Sequence, residues 1–169
     1  EFKKLGFATQ TGIEFPYEAT GMIPHPNKVY SSGIQQWSNQ TTSSLAMGYN
    51  ISATSIQLLK GFCTIINNGQ TVTPSLIQSN TLNNQPLFSH EHCQRVKESL
   101  AYVCTKHGTG QSVYNRIFSI SGKSGTTHIL ANGSYADKKH LSSFIGFFPT
   151  DSPKYVCIVH IQEPKSVKL

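Results

Sequence analysis

Charge is scarce in this chain. Only 13% of its 169 residues are Asp, Glu, Lys or Arg, against roughly 25% in an average domain. A surface of that kind is built from Ser, Thr, Asn and Gln rather than from ion pairs. The balance of 14 basic to 8 acidic residues leaves a net charge of +6. The basic residues form no run of the sort that grips a phosphate backbone, so nucleic acid is not an expected partner. No stretch of about 18 apolar residues occurs, and no secretory leader pattern. Metal-ligand spacing is missing too. His90 and His92 stand two apart in sequence, which on a helix places them on different faces, whereas a zinc site needs three or four converging ligands. They read as solvent-facing residues of a helix start, and no metal or other cofactor is expected. The four cysteines make no disulfide framework. Cys93 and Cys104 fall on one predicted helix, ~16 Å apart at 1.5 Å per residue, beyond the ~7 Å reach of a disulfide. Cys63 and Cys157 lie in apolar runs and read as core residues. Internal repeats and low-complexity tracts are absent. The chain opens at Glu1-Phe2-Lys3-Lys4 without a Met and is expected to be a piece of something longer.

What is present divides into an irregular front, two helices and a strand-rich end. Phe2 to Gly6 reads as the tail of a helix stopped by a glycine. From Phe7 to about Gln36, Gly12, Pro16, Gly21, Pro24, Pro26 and Gly33 punctuate a long loop, and loops of such length are often functional. Trp37 to Met47 shows no clear period. Ile56, Leu59, Phe62 or Cys63 and Ile66 recur at helical spacing, predicting a helix over Thr54–Asn68 with Thr54 or Ser52 as cap and Gly69 as stop. A second helix is predicted from about His90 to Lys106, with Cys93, Val96, Leu100 and Val103 as its apolar stripe. Thr71–Gln78, which contains Pro74, reads as extended. In the last third, strands are expected over Arg116–Thr127, Ser142–Phe148 and Tyr155–Ile161. The last is a nearly continuous apolar run of the kind buried on both faces. Asn132-Gly133 and Asp151-Ser152-Pro153-Lys154 are turn signals between them. Three adjacent antiparallel strands with helices beside them make an α+β domain.

Lys123-Ser124-Gly125-Thr126 is the segment with the most chemistry. A cation, a hydroxyl, a bare backbone and a second hydroxyl follow one another on a strand. Two hydroxyls on alternate positions share one face and suit a carboxylate. A glycine lets another backbone approach because no Cβ intrudes.

Other segments, in order, extend this into a resemblance. Leu5-Gly6-Phe7-Ala8-Thr9-Gln10-Thr11-Gly12-Ile13 resembles the "FGFG-x-x-TGI" stretch of class B penicillin-binding proteins. Phe15-Pro16-Tyr17-Glu18-Ala19-Thr20-Gly21 is similar to their "PGE-x-x-G" continuation, and Met47-Gly48-Tyr49-Asn50 through Leu58 to their "GYG-x-x-VTPLQL" segment. Thr64-Ile65-Ile66-Asn67-Asn68-Gly69 resembles "xIANGG". His107-Gly108-Thr109-Gly110 resembles the turn before their Lys-Ser/Thr-Gly strand, and Ser143-Phe144-Ile145-Gly146-Phe147-Phe148-Pro149 their "SFVGFAP". Ser55 stands where the family has proline, and Tyr49-Asn50 departs from its commoner pairs. The family's Ser-x-x-Lys and Ser-x-Asn motifs are not in the sequence.

The resemblance implies the C-terminal half of a transpeptidase domain of the penicillin-binding-protein and serine β-lactamase-like fold. Residues 1–169 would form one partial domain with about three of the fold's five antiparallel strands, the nucleophile half lying outside. It implies a peptidoglycan D,D-transpeptidase that cross-links stem peptides and is trapped by β-lactams. Lys123 and Thr126 would serve catalysis, Thr126 through its backbone N–H. Ser124, Gly125, Thr126 and, less directly, Thr127 would hold substrate. The chain alone would be inactive. The parent would sit on the extracytoplasmic, periplasmic face of the cell membrane, anchored by a segment outside this chain, beside a glycosyltransferase and divisome or elongasome proteins. Alternatives of the same fold are a β-lactamase or β-lactam sensor domain, and a non-catalytic interaction module. Uncovered strand edges and an apolar sheet face would favour self-association of the piece.

Overall fold

The computed structural model describes residues 2–78, 84–131 and 134–165, with side chains left out of account over 129–139. Two compact units emerge, Glu1–Thr64 with Gln70–Leu87, and Ile65–Gly69 with Phe88–Leu169. The first contains helix α1 (Thr41–Ala46) and most of α2 (Ser55–Ile66). The second contains α3 (His90–Val103), a 3-10 turn at Gln111–Val113, and strands β1 (Ser121–Ala131), β2 (Ser134–Phe148) and β3 (Tyr155–Gln162).

In the first unit, irregular backbone is organised by a few buried polar side chains. Residues 2–8 form turns rather than a helix. Gly6 N–H donates to Lys3 O at 3.0 Å and Phe7 N–H to Phe2 O at 3.1 Å, the two bonds that close a helix at a glycine, so the expected ending is there without the helix. Thr54 and Gln57 form a reciprocal cap at the start of α2. Gln57 N–H donates to Thr54 Oγ1 at 3.2 Å, and Thr54 N–H to Gln57 Oε1 at 3.0 Å. Gln57 is fully buried, at 0% exposure. Its Nε2 reaches across the sequence to Thr9 O and Thr20 O, both at 2.7 Å. The Glu18 carboxylate accepts from Thr11 Oγ1 at 2.6 Å and Thr11 N–H at 2.9 Å. The Thr11 hydroxyl, followed by the Thr11 and Gly12 amides, holds that carboxyl below the usual glutamate range. Two side chains thus staple the stretch from Thr9 to Gly21. Gly21, at φ +65°, lies so close to Ser52 O that any Cβ there would collide with it. Phe7 closes on α2 at Gly61, where an added Cβ would stand 3.3 Å from the Phe7 ring. Trp37–Met47, featureless in the sequence, holds α1, and Thr71–Gln78 forms no strand.

The second unit is a three-stranded antiparallel sheet in the order β1-β2-β3, with α3 packed against β1. Ser89 caps α3, its hydroxyl accepting from His92 N–H at 3.3 Å. The helix stops at Val103, short of Lys106, because its last carbonyls are taken by tighter bonds. Cys104 N–H donates to Ala101 O at 3.2 Å, Thr105 N–H to Tyr102 O at 3.1 Å, and Gly110 N–H to Val103 O at 2.8 Å. Cys93 and Leu100 are buried and Val96 is exposed, so the inward stripe is narrower than expected. β1 begins later than its sequence reading, at Ser121. Asn115 Oδ1 accepts from Ile117 N–H at 2.7 Å and Phe118 N–H at 3.2 Å, turning the approach rather than extending it. The Asn132-Gly133 turn lies outside the described residues; the strands on either side of it pair antiparallel. The Asp151–Lys154 turn joins β2 to β3, with Phe148 in register with Tyr155.

Among the described residues β3 is an edge strand, not a doubly buried one. Its run alternates, Val156 and Ile158 half-buried, Tyr155, Cys157 and Val159 exposed. Tyr155 is 60% exposed and stacks on Phe148 with centroids 5.0 Å apart. Cys157 is therefore a surface thiol, not a core residue, and Cys63 is only partly buried. Cys93 and Cys104 are both buried free thiols, on α3 and its C-cap.

Replacing Gln57 with Ala would leave two carbonyls and one amide without partners. At about 1–3 kcal/mol per stranded buried group, less whatever water recovers, the loss is expected to be about 2–4 kcal/mol. Urea unfolding of the Q57A chain measures it, and a change below about 0.5 kcal/mol would contradict the stapling role.

Candidate active-site strand

β2 lies on one side of β1, and no strand lies on the other among the described residues. Which β1 peptide groups face the open side follows from the ladder. Glu163 N–H donates to His140 O at 2.8 Å, one step beyond the Leu141–Gln162 pair. Even-numbered β2 residues therefore bond toward β3, and odd-numbered ones toward β1. The odd residues pair with Ser121, Lys123, Gly125 and Thr127. The N–H and C=O groups of Gly122, Ser124, Thr126 and His128 are left pointing away from the sheet. Two contacts agree. The Gly122 amide is directed at the Cys104 sulfur, where it opposes the rise that burial imposes on that thiol. Lys123 Nζ donates to the outward carbonyl of Ser124 at 2.7 Å.

Side chains alternate with the same period. Lys123, Gly125 and Thr127 share one face with Leu141, Ser143, Ile145 and Phe147; Ser124, Thr126 and His128 share the other with His140, Ser142 and Phe144. Lys123, Gly125 and Thr126 are exposed, and Ser124 and Thr127 half-buried. Gly125 has open space where a Cβ would stand. The tetrapeptide thus lies inside the strand, not at its end. The hydroxyls of Ser124 and Thr126 fall together, as their spacing predicts, with the ammonium of Lys123 and the bare Gly125 on the opposite face and the outward Thr126 amide on the rim between. Thr127 faces with Lys123, its hydroxyl donating to His128 O at 3.5 Å.

Two histidine contacts escaped the sequence. His128 and His140 are register partners with ring centroids 4.6 Å apart. Ser143 Oγ and His160 Nδ1, also register partners, lie 2.8 Å apart on the Lys123 face. Nothing in the local sequence couples residues this far apart, since both contacts come from register. Among the described residues no three His, Cys, Asp or Glu side chains converge as a metal site would require. No described helix is long and apolar enough to cross a membrane.

The profile of the penicillin binding protein transpeptidase domain matches residues 1–168. Stage V sporulation protein D of Bacillus subtilis is 28% identical over 176 residues, covering 96% of this chain and 26% of that protein. The probable peptidoglycan D,D-transpeptidase PbpC of Pseudomonas aeruginosa is 27% identical, covering 97% and 28%. The chain thus spans about a quarter of the length of these relatives. Among solved structures, the transpeptidase domain of Burkholderia pseudomallei penicillin-binding protein 3 superposes with a TM-score of 0.85 at 24% identity, over 96% of this chain and 48% of that one. Penicillin-binding protein 3 of Mycobacterium tuberculosis, complexed with ampicillin, gives 0.83 at 26%, over 96% and 38%. The α+β arrangement of helices on an antiparallel sheet is that of these domains. With its profile matched almost end to end, the chain belongs to the penicillin-binding-protein transpeptidase domain family.

Proposed function

We propose that this chain is the C-terminal part of a single catalytic domain and supplies one wall of a peptidoglycan D,D-transpeptidase site. The outward amide of Thr126, on the rim of an open strand edge beside two hydroxyls and a lysine, carries the proposal. In the reaction, a serine outside this sequence attacks the carbonyl between the two terminal D-alanines of a stem peptide. The C–N bond breaks, D-alanine leaves with a proton on its nitrogen, and an acyl-serine ester forms. The amine of a second stem peptide then attacks the ester, forming the cross-link and returning the serine.

Each residue has a role suited to its place. Ser124 and Thr126 hydroxyls donate to the terminal carboxylate. Lys123 adds a positive field and holds the Ser124 carbonyl in place. Gly125 lets the substrate backbone lie close. Thr126 N–H is one oxyanion donor, the nucleophile's own amide being the other. Thr127, on the Lys123 face, borders the substrate. β-Lactams, such as the ampicillin and aztreonam bound by the M. tuberculosis relative, would be accepted on the same edge. The whole protein would work on the extracytoplasmic, periplasmic face of the cell membrane with glycosyltransferase and division or elongation partners, as the family resemblance implies. A β-lactamase of this fold is less favoured because relatives such as PbpC and PenA are named as probable peptidoglycan D,D-transpeptidases.

The chain alone offers a binding edge without a nucleophile. Incubated with a fluorescent penicillin it is expected to form no stable covalent adduct. Its exposed apolar sheet face is expected to drive self-association, seen as concentration-dependent elution in size-exclusion chromatography. A labelled band surviving denaturation would overturn the first expectation, and a compact monomer at high concentration the second.

Thr126→Pro removes the outward amide hydrogen together with the hydroxyl, and Thr126→Val removes the hydroxyl alone, so the two together isolate the amide. The Thr126 N–H makes no ladder bond, and proline is tolerated at edge positions whose N–H faces outward. In a transpeptidase joining this strand to its serine, T126P is expected to lower the acylation rate by about 10²–10³-fold while the protein stays folded. Acylation within threefold of the parent would remove the oxyanion role. Thr126→Val, which keeps the amide, is expected to weaken carboxylate binding and to leave most of the rate.

A further inference from the structure

A pocket of about 220 Å³ lies between the end of α3, the 3-10 turn after it and the approach to β1. Ala101, Cys104, Val113 and Ile120 give it an apolar floor, buried or half-buried. Tyr114 and Phe118 line it with rings that are partly open to solvent, Phe118 being 57% exposed. None of its lining residues is charged. Two neighbouring hollows differ in kind. One of about 280 Å³ shares Ala101 with it but is lined by Lys97, Glu98 and Asp151, which suits water and ions rather than an apolar guest. One of about 180 Å³ shares Phe118 and Ile120 and is completed by Phe148, with no polar side chain to orient anything held there.

Size and lining together select the guest. An apolar cavity of about 150 Å³ is enough for benzene, so the larger pocket has room for a ring with a substituent or for two fused rings. An ion would lose its water there and meet no opposite charge. A neutral ring instead removes the Phe118 and Tyr114 surfaces from water, a gain that grows with the apolar area covered. The polar side chains of the wall are mostly committed. Thr105 Oγ1 donates to Tyr102 O at 2.8 Å, and the Thr150 hydroxyl meets that of Ser121 at 2.7 Å. Asn115 Oδ1 is taken by the amides of Ile117 and Phe118, at 2.7 and 3.2 Å. What Asn115 can still offer is its Nδ2 group, a donor, and a carbonyl oxygen or ring nitrogen on the guest answers it.

We propose that this pocket binds an uncharged aromatic molecule of one or two rings that carries a hydrogen-bond acceptor. None of its lining residues belongs to the segment from Lys123 to Thr127, so the inference does not rest on the transpeptidase reading. The wall of the pocket is also what holds the start of β1. The Gly122 amide is directed at the Cys104 sulfur, and Thr150 N–H donates to Ser119 O at 3.0 Å. A guest in contact with Cys104, Ser119 and Thr150 is therefore felt at both amides.

Acetophenone is the probe, and benzoate, of the same size but charged, is its control. Each is titrated into the 169-residue chain and followed by amide NMR shifts. Acetophenone is expected to move the Gly122 and Thr150 amides saturably, with a Kd of about 1 mM, the order that ordinary ligand efficiency sets for so small a molecule. Benzoate is expected to bind at least about tenfold more weakly. Ala101→Leu, which fills the floor, is expected to abolish the acetophenone shifts. Asn115→Asp keeps the oxygen that the two loop amides need and replaces the donor, and it is expected to weaken binding about two- to tenfold. Unchanged shifts away from the pocket show that each variant folds, and if A101L does not fold, N115D decides. The proposal is overturned if acetophenone fails to saturate below about 10 mM, if its shifts fall elsewhere, if benzoate binds as well, or if binding is undiminished in a folded variant.

Discussion

The alternation of hydrogen bonding along β1 is the constraint on which the candidate site depends. β2 takes the peptide groups of Lys123, Gly125 and Thr127. Those of Ser124 and Thr126 are thereby forced outward, because a strand cannot turn two successive peptides to the same side. A single-residue slip would exchange the two sets. It would present the amide of Gly125 on the rim and move both hydroxyls to the other face. The register is held by what lies on the inner face, where Ser121 and Phe147, in register with each other, are almost fully buried. The Ser121 hydroxyl is fixed 2.7 Å from that of Thr150. Core packing at the start of the strand thus decides which amide faces the solvent five residues later.

A chain poor in charge must hold long irregular segments by other means, and the first unit shows how. Gln57 is worth more to this fold than an apolar residue of its volume would be, since it serves a helix cap and two distant carbonyls together. Glu18 answers the amides of a turn that no secondary structure would satisfy. Both obey the rule that buried backbone groups find partners, with side chains standing in for absent strands. The same economy appears at the candidate strand, where the lysine ammonium satisfies an outward carbonyl of the next residue rather than a carboxylate.

Much of this was legible in the sequence wherever the signal was local. The presence of α2 and α3, the turn at Asp151–Lys154 and the alternate hydroxyls of Ser124 and Thr126 all depend on neighbours within a few residues, although the positions α2 buries fully are Gln57, Gly61 and Thr64 rather than its apolar stripe. The misreadings share a different cause. Tyr155–Ile161 looked doubly buried because its residues are apolar throughout, but burial depends on what covers each face, which a strand's own sequence does not state. Cys157 was misassigned with it. The extended approach to β1 failed because Asn115 folds it back through two amides. Thr54-x-x-Gln57 did carry a readable sign, the reciprocal cap pattern, but its reach to Thr9 and Thr20 spans 48 and 37 residues. The pairing of His128 with His140 was hidden for the same reason, being fixed by register.

The division of the β1 side chains between two faces bears on how one strand could serve both substrate recognition and bond making. Lys123 and Thr126 cannot touch the same point from the same side, since odd and even positions diverge. Only a group lying along the rim is reached by both, and there the outward amide is already aimed. A rigid strand spends no further conformational entropy to arrange these donors when substrate arrives. The bare position at Gly125 belongs to the same logic. A side chain there would fill the space beside the rim and hold a second backbone away from the amide proposed to receive its oxygen.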